Sequence, residues 1–473
     1  MLRNRLKFNF GASTVDITQG VIWKQLLLFA IPLLLSNLLQ QLYSAVDLAI
    51  VGQFVGSTAM AAVGSTGALT NLITGFFLGL STGASVVLSQ FYGAQDHENI
   101  SKTVHTAIAV SAFGGAILMV LGVILTPTML EWMQTPADIL PEAVEYLRAI
   151  FLGIIPIMMY NMGAGILRAI GDSRRPLYYL IVSCLVNLVL DLLFVGPFRW
   201  GVTGAAVATV LSQAVSMLLI LFCLARSTES YRLYWRRIFR ISGGILLRIV
   251  RIGLPAGMQT VVIALSNVVI QSQINQFGSI AVGGVSAASK IDGFVYMPAA
   301  VFGLAITTFV GQNFGAQKMD RVKKSVRVGL LMSVSGTMAF GLTALLFGKQ
   351  LLGIFNSDPQ VIEYGREMMV VLVVSYWIFA CSEIFAGAMR GAGSATIPMV
   401  VSIVCMCGVR LLWIVTALKF WDDILVVFLS YPISWTITAL TMMTFYLRGR
   451  WMHPKDRRAK RVRAGAEPPE VQP

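Results

Sequence analysis

The feature that most constrains this chain is a run of twelve long apolar segments, separated only by short basic or Gly/Pro-containing connections. Their rough spans are 24–52, 57–90, 99–126, 139–167, 176–197, 202–225, 248–276, 280–312, 322–347, 360–389, 396–418 and 424–447. A helix needs about 20 apolar residues to cross a bilayer, and the longer segments here call for tilt or bending. Only helices and closed barrels satisfy their backbone in hydrocarbon. Barrel strands would alternate polar and apolar residues, and these segments do not. Charged residues make up 12% of the 473, about half the usual share in a soluble domain. That is too little polar surface to coat a soluble protein of this length. The expected fold is therefore all-α and polytopic. The first apolar run follows some twenty polar residues and far exceeds a signal-peptide core, so it reads as a retained spanning helix.

Lysine and arginine set the expected orientation. The odd-numbered connections hold only Arg199, Lys349 and Lys419, whereas the connection after the sixth segment holds Arg226, Arg232, Arg236, Arg237, Arg240, Arg248 and Arg251. Both termini are expected on the cytoplasmic side of a cell membrane. This bias accounts for the net charge of +14. No soluble domain exists to present a basic face, so nucleic acid is excluded as a partner. The basic tail after Arg448 is expected near anionic membrane lipids. The five cysteines lie in apolar runs and the three histidines do not cluster, so neither a disulfide set nor a metal site is expected.

The chain repeats itself. FYGAQ at 91–95 returns as NFGAQ at 313–317, GILRAIGDSRRP at 165–176 as GAMRGAGSATIP at 387–398, and GSTAMAAV at 56–63 as GSIAVGGV at 278–285. The offset is 222 in all three, and Pro32 and Pro255 match at 223. Six segments per repeat is an even number, so the halves are expected to be parallel repeats about an axis along the membrane normal. The expected organisation is an N-terminal segment (1–23), an N-lobe (24–225), a basic linker (226–247), a C-lobe (248–447) and a basic tail (448–473). Gly93 and Gly315 would serve tight turns or close helix approach. Arg168 and Arg390 would anchor helix ends.

Carboxylates inside spanning helices are costly, which makes them functional candidates. Those well inside are Asp47, Asp191, Asp292 and Glu383. Tyr43 precedes Asp47 by four residues and Asn187 precedes Asp191 by four, so each acid has a polar neighbour on its own helix face. Two such acids lining one cavity would make a hard-oxygen site for Na⁺ or a trap for H⁺. The second repeat lacks the set, because Asp191 corresponds to Trp413 and Asn187 to Val409.

On these residues the chain resembles the multidrug and toxic compound extrusion family, over roughly residues 20–448. The resemblance rests on the twelve segments in two halves, the first-helix proline, the paired FYGAQ and NFGAQ motifs, and the paired R-x-x-G elements. It implies a cation site in the N-lobe formed by Tyr43, Asp47, Asn161, Asn187, Asp191 and Thr209, and a bend of the first helix at Pro32. It implies secondary active export of organic, mostly cationic, small molecules against inward H⁺ or Na⁺, by a monomer without cofactor. A C-lobe cation site, as in another branch of the family, is not expected: the seventh segment has no acid between Gly257 and Gly278, and the tenth offers only Glu383.

Lys290, Asp292, Glu383 and Arg410 are read as either internal ion pairs or a polar wall of a substrate cavity. A lipid-linked oligosaccharide flippase would want several intramembrane cations, and only Lys290 and Arg410 qualify. An embedded enzyme would need a nucleophile, a His-containing dyad or a metal cluster, yet His97, His105 and His453 all fall at the cytoplasmic face.

Overall fold

A computed structural model describes residues 16–133, 135–421 and 423–452. Most of the N-terminal segment, the basic tail from 453 onward and His453 lie outside the described residues. The helices are α1 (Ile22–Phe54), α2 (Ser57–Gly93), α3 (His97–Trp132), α4 (Leu140–Leu152), α5 (Ile154–Ala169), α6 (Arg174–Val195), α7 (Gly201–Arg226), α8 (Gly243–Asn275), α9 (Ser279–Gly315), α10 (Met319–Leu346), α11 (Gly348–Gly353), α12 (Pro359–Gly391), α13 (Thr396–Val401), α14 (Val409–Ala417) and α15 (Ile424–Leu447). Among the described residues, eleven spans are long and apolar enough to cross a membrane, and α4 with α5 makes a twelfth, bent by 51°. The bend falls at Gly153, where an added Cβ would lie 2.1 Å from a methyl of Val210 on α7. The eleventh span is also irregular, because a π-helical turn over Ser402–Gly408 joins α13 to α14.

The repeat is visible in backbone detail. α2 and α9 both have 37 residues and both start after a glycine with positive φ, Gly56 and Gly278. Each is followed by a glutamine in the left-handed region, Gln95 at φ 56° and Gln317 at φ 57°. The glycines of the repeated motif therefore serve packing, and the glutamines make the turn. A Cβ on Gly93 would lie 1.9 Å from the Gln312 carbonyl oxygen, and a Cβ on Gly315 would lie 1.9 Å from that of Gln90. The hydrogen bonds across this contact are reciprocal as well. Gln90 Nε2 donates to Gly391 O at 2.9 Å, and Gln312 Nε2 donates to Ala169 O at 2.7 Å. Residues 90 and 312, and 169 and 391, are repeat mates, so a pseudo-twofold axis passes between the ends of α2 and α9.

These contacts close the two halves against each other at the arginine-rich face. Further along the interface, α8 lies directly on α2, where a Cβ on Gly79 would sit 2.2 Å from the Gly257 nitrogen. Small residues permit such approach between membrane helices. The segment leading into α1 adds a strap, in which Arg321 of α10 donates to the carbonyls of Ile17, Gln19 and Gly20.

The linker between α7 and α8 is pinned by a histidine. His105 is buried, its Nδ1 donates to Ser101 O at 2.7 Å, and its Nε2 accepts from the Tyr234 N–H at 3.0 Å. A carbonyl can only accept, so the ring is neutral with its proton on Nδ1. The Tyr234 ring stacks on the imidazole at 6.0 Å, with Arg232 and Arg237 over it. Replacing His105 with alanine removes the acceptor and the stack. Limited trypsin digestion at Arg236 and Arg237 should then run several-fold faster than in the wild type, with melting little changed. Unaltered cleavage would show that the linker is held elsewhere.

Candidate functional site: a buried carboxylate pair between α1, α6 and α7

The polar residues of the first half meet where the second half of α1, the end of α6 and the first half of α7 pack together, toward the arginine-poor face. The i and i+4 spacing puts Tyr43 and Asp47 on one face of α1, and Asn187 and Asp191 on one face of α6. Asp47 is 6% exposed, Asn187 2% and Asp191 0%. The two carboxyls approach each other closely enough to interact, and Asn187 adjoins Asp191. Tyr43 donates to Thr209 Oγ1 at 3.1 Å, which ties α1 to α7. Ser183 Oγ donates to the Ser212 carbonyl at 2.7 Å and ties α6 to α7.

Hydrogen-bond supply falls short of what the pair needs. Asp47 Oδ1, both Asp191 oxygens and Asn187 Nδ2 are buried without a partner in hydrogen-bonding geometry. Buried charges are normally paired or bound to a cation. Two facing carboxylates repel, and burial removes the water that would screen them. The arrangement can therefore hold a proton or a small hard cation. No group of three or more His, Cys, Asp or Glu side chains suited to a metal ion occurs among the described residues.

Of the six N-lobe residues, the structure brings five together: Tyr43, Asp47, Asn187, Asp191 and Thr209. Asn161 of α5 does not join them by a hydrogen bond, because its Nδ2 donates to Ile157 O at 2.9 Å. Tyr146 of α4, which the sequence reading passed over, is buried within electrostatic reach of Asp47, Tyr43 and Asp191. In the sequence it stands between Glu145 and Leu147, near Glu142 and Arg148, so nothing local marks it as facing the buried pair. Pro32 sits inside an α1 that continues as one helix, and its carbonyl accepts the Ser36 hydroxyl at 2.8 Å.

A second polar region lies between the halves. A cavity of about 340 Å³ is lined from α2, α8, α9 and α12, with Gln259, Tyr296, Thr307, Glu383 and Arg390 among its walls. Arg390 Nη2 pairs with Glu383 at 3.3 Å, and Nη1 donates to Gln259 Oε1 at 3.2 Å. Of the four C-lobe charges considered as cavity wall, Glu383 is the one that lines it. Lys290 is exposed on the outer side of α9 and borders an apolar groove with α10 and α11. Asp292 lies 200° farther round the helix at 100° per residue, faces the core and accepts from the Tyr376 hydroxyl. Arg410 is enclosed within the second half, 1% exposed. Helix phase explains the difference, since charged residues two positions apart on α9 face opposite ways. Arg390 does more than anchor a helix end: its spacing of seven from Glu383, two turns along one face of α12, lets the two side chains pair. His97 is exposed at the start of α3.

Known proteins resemble this chain over most of its length. The probable multidrug resistance protein YoeA of Bacillus subtilis is 29% identical over 435 residues, covering 90% of this chain and 93% of that one. The probable multidrug resistance protein YpnP of the same organism is 29% identical over 446 residues, covering 92% and 97%. A solved structure described as the outward-facing conformation of a multidrug resistance MATE family transporter superposes with a TM-score of 0.86 at 22% identity, covering 93% of this chain and 99% of that one. The MatE family model matches twice, at residues 32–193 and 255–416, once in each repeat. This multi-pass membrane chain belongs to the MatE family.

Proposed function

We propose that this protein is a secondary active exporter that moves organic cations out of the cell in exchange for inward H⁺ or Na⁺. The observation that carries the reading is the buried Asp47–Asp191 pair, whose oxygens lack the donors that a resting structural carboxylate would have. The multidrug resistance names of its relatives support the export direction. The chain acts as a monomer, with both termini and the arginine-rich face cytoplasmic. The two halves rock about the pseudo-twofold axis to expose the central cavity to each side in turn. The closure at Gln90 and Gln312 is then the outward-facing side of the cycle. Cation binding between α1, α6 and α7 favours one conformation and substrate favours the other, so each drives release of the other.

The cavity wall supports organic cations as substrates. Glu383 places a carboxylate on that wall, and the guanidinium beside it is shared between Glu383 and Gln259. A cavity rich in unpaired arginine would suit a lipid-linked oligosaccharide, and here the cavity arginine is already paired with an acid.

The reading is tested in sealed vesicles that contain the purified protein and are loaded with a fluorescent organic cation. An imposed H⁺ gradient or an imposed Na⁺ gradient should speed release well above the rate seen without an ion gradient. Release independent of both gradients would overturn the proposal. In the same vesicles, Glu383→Gln should raise the substrate concentration needed for half-maximal rate about tenfold, the effect of losing one charge-assisted contact of about 1.4 kcal/mol. A neutral substrate should be affected little.

A further inference from the structure

The second half contains a buried guanidinium that the exchange cycle above does not use. Arg410 Nε donates to Ser434 Oγ at 3.3 Å and Nη1 to Asn267 Oδ1 at 3.4 Å, while its Cζ lies 4.4 Å from the centre of the Tyr431 ring. Nη2 is buried without a partner, and no carboxylate lies within ion-pairing distance among the described residues. A lone buried charge at membrane depth is expensive, so its position calls for a reason.

The repeat supplies one. Counted back by 222, Tyr431 and Ser434 fall on Thr209 and Ser212, and Trp413 falls on Asp191. Counted back by 223, the offset between Pro255 and Pro32, Ser266 and Ile270 fall on Tyr43 and Asp47. The guanidinium thus lies among α8, α14 and α15, the counterparts of α1, α6 and α7. Those are the helices that enclose the carboxylate pair. In the first half Tyr43 reaches across to Thr209. In the second half, Arg410 meets the counterparts of Thr209 and Ser212. The acids are gone there, replaced by Trp413 and Ile270.

From this juxtaposition we infer that Arg410 is a tethered cation filling the C-lobe position that the N-lobe leaves for an exchangeable one. One half is switched by an ion that comes and goes. The other half carries its cation covalently and stays in one arrangement. Arg410 is a positioning residue that joins α8 to α15 through Asn267 and Ser434, and the protein has a single exchangeable cation site. The preceding π turn over Ser402–Gly408 sets the rotation of α14 that carries the side chain inward.

The inference goes beyond the exchange reading, and its test does not use transport. The full-length protein is purified in detergent, and its melting is followed in millimolar guanidinium chloride, with tetramethylammonium chloride as the control at equal ionic strength. Arg410→Ala should melt several degrees below the wild type. Guanidinium should recover most of that loss in a saturable way, whereas tetramethylammonium, which has no N–H donors, should not. The wild type should respond to neither. Arg410→Met fills the space without the charge, and should be destabilised but not rescued. If Arg410→Ala does not survive extraction, guanidinium present during solubilisation should restore monodisperse protein, and Arg410→Lys should fold without it. Absence of any guanidinium effect on Arg410→Ala, or an Arg410→Met protein as stable as the wild type, would overturn the inference.

Discussion

Gly93→Ala should open the arginine-rich face. The added Cβ would fall 1.9 Å from the Gln312 carbonyl oxygen and 2.8 Å from its Cα. Both are backbone atoms of a helix end and cannot turn aside as a side-chain tip would. The ends of α2 and α9 must separate to reach van der Waals distance, which strains or breaks the reciprocal bonds from Gln90 and Gln312. Each such bond contributes about 1 kcal/mol net. Losing two shifts a two-state equilibrium roughly thirtyfold. A cysteine at Thr82, in the central cavity, reports the change in a background free of the native cysteines. An impermeant thiol reagent applied from the arginine-rich face should label it slowly in the parent and at least tenfold faster with Gly93→Ala. Gly315→Ala should act the same way, since the axis makes the two positions equivalent. Equal labelling in all three proteins would mean that this contact does not close the path.

Asp47→Asn should abolish gradient-driven efflux while leaving the protein folded. The substitution removes one of two facing buried carboxylates at nearly unchanged shape, which relieves repulsion and does not leave a cavity. Melting in detergent should therefore stay at or above the wild-type value. The cation site, however, loses the charge that lets ion binding discriminate between conformations, and a site without that discrimination cannot shift the equilibrium. Rates should fall to the protein-free background under either gradient. Asp191→Asn should behave alike, whereas Asn161→Ala should retain most of the rate, because the Asn161 amide is engaged with its own helix. A wild-type rate for Asp47→Asn would remove the pair from the coupling role.

Much of this architecture was legible in the sequence because its signals are local or periodic. Twelve apolar runs, three motif pairs on one offset and two acids with polar neighbours one turn away depend on spacing alone. What was not legible depends on helix phase and on partners from distant segments. Lys290 and Asp292 share a short stretch of α9, yet one meets the groove outside and the other meets Tyr376. Glu383 was visible as an acid, but its pairing with Arg390 and the relay to Gln259 bring α12 onto α8, more than a hundred residues away in the chain. The elbow at Gly153 and the π turn at Ser402–Gly408 interrupt segments whose apolar composition runs straight through. The paired glycines suggested a turn or a close approach, and the structure assigns the turn to Gln95 and Gln317.

The central claim is that the Asp47–Asp191 pair holds the ion that substrate displaces. The most direct measurement adds excess organic cation to purified protein in weakly buffered detergent solution, with released protons followed by a pH dye and released sodium by an ion-sensitive dye. Reciprocal coupling requires the binding of one ligand to weaken the other. The account predicts release approaching one ion per protein in the wild type, and none in the Asp47→Asn/Asp191→Asn double variant even where substrate still binds. Undiminished release from the double variant would contradict it.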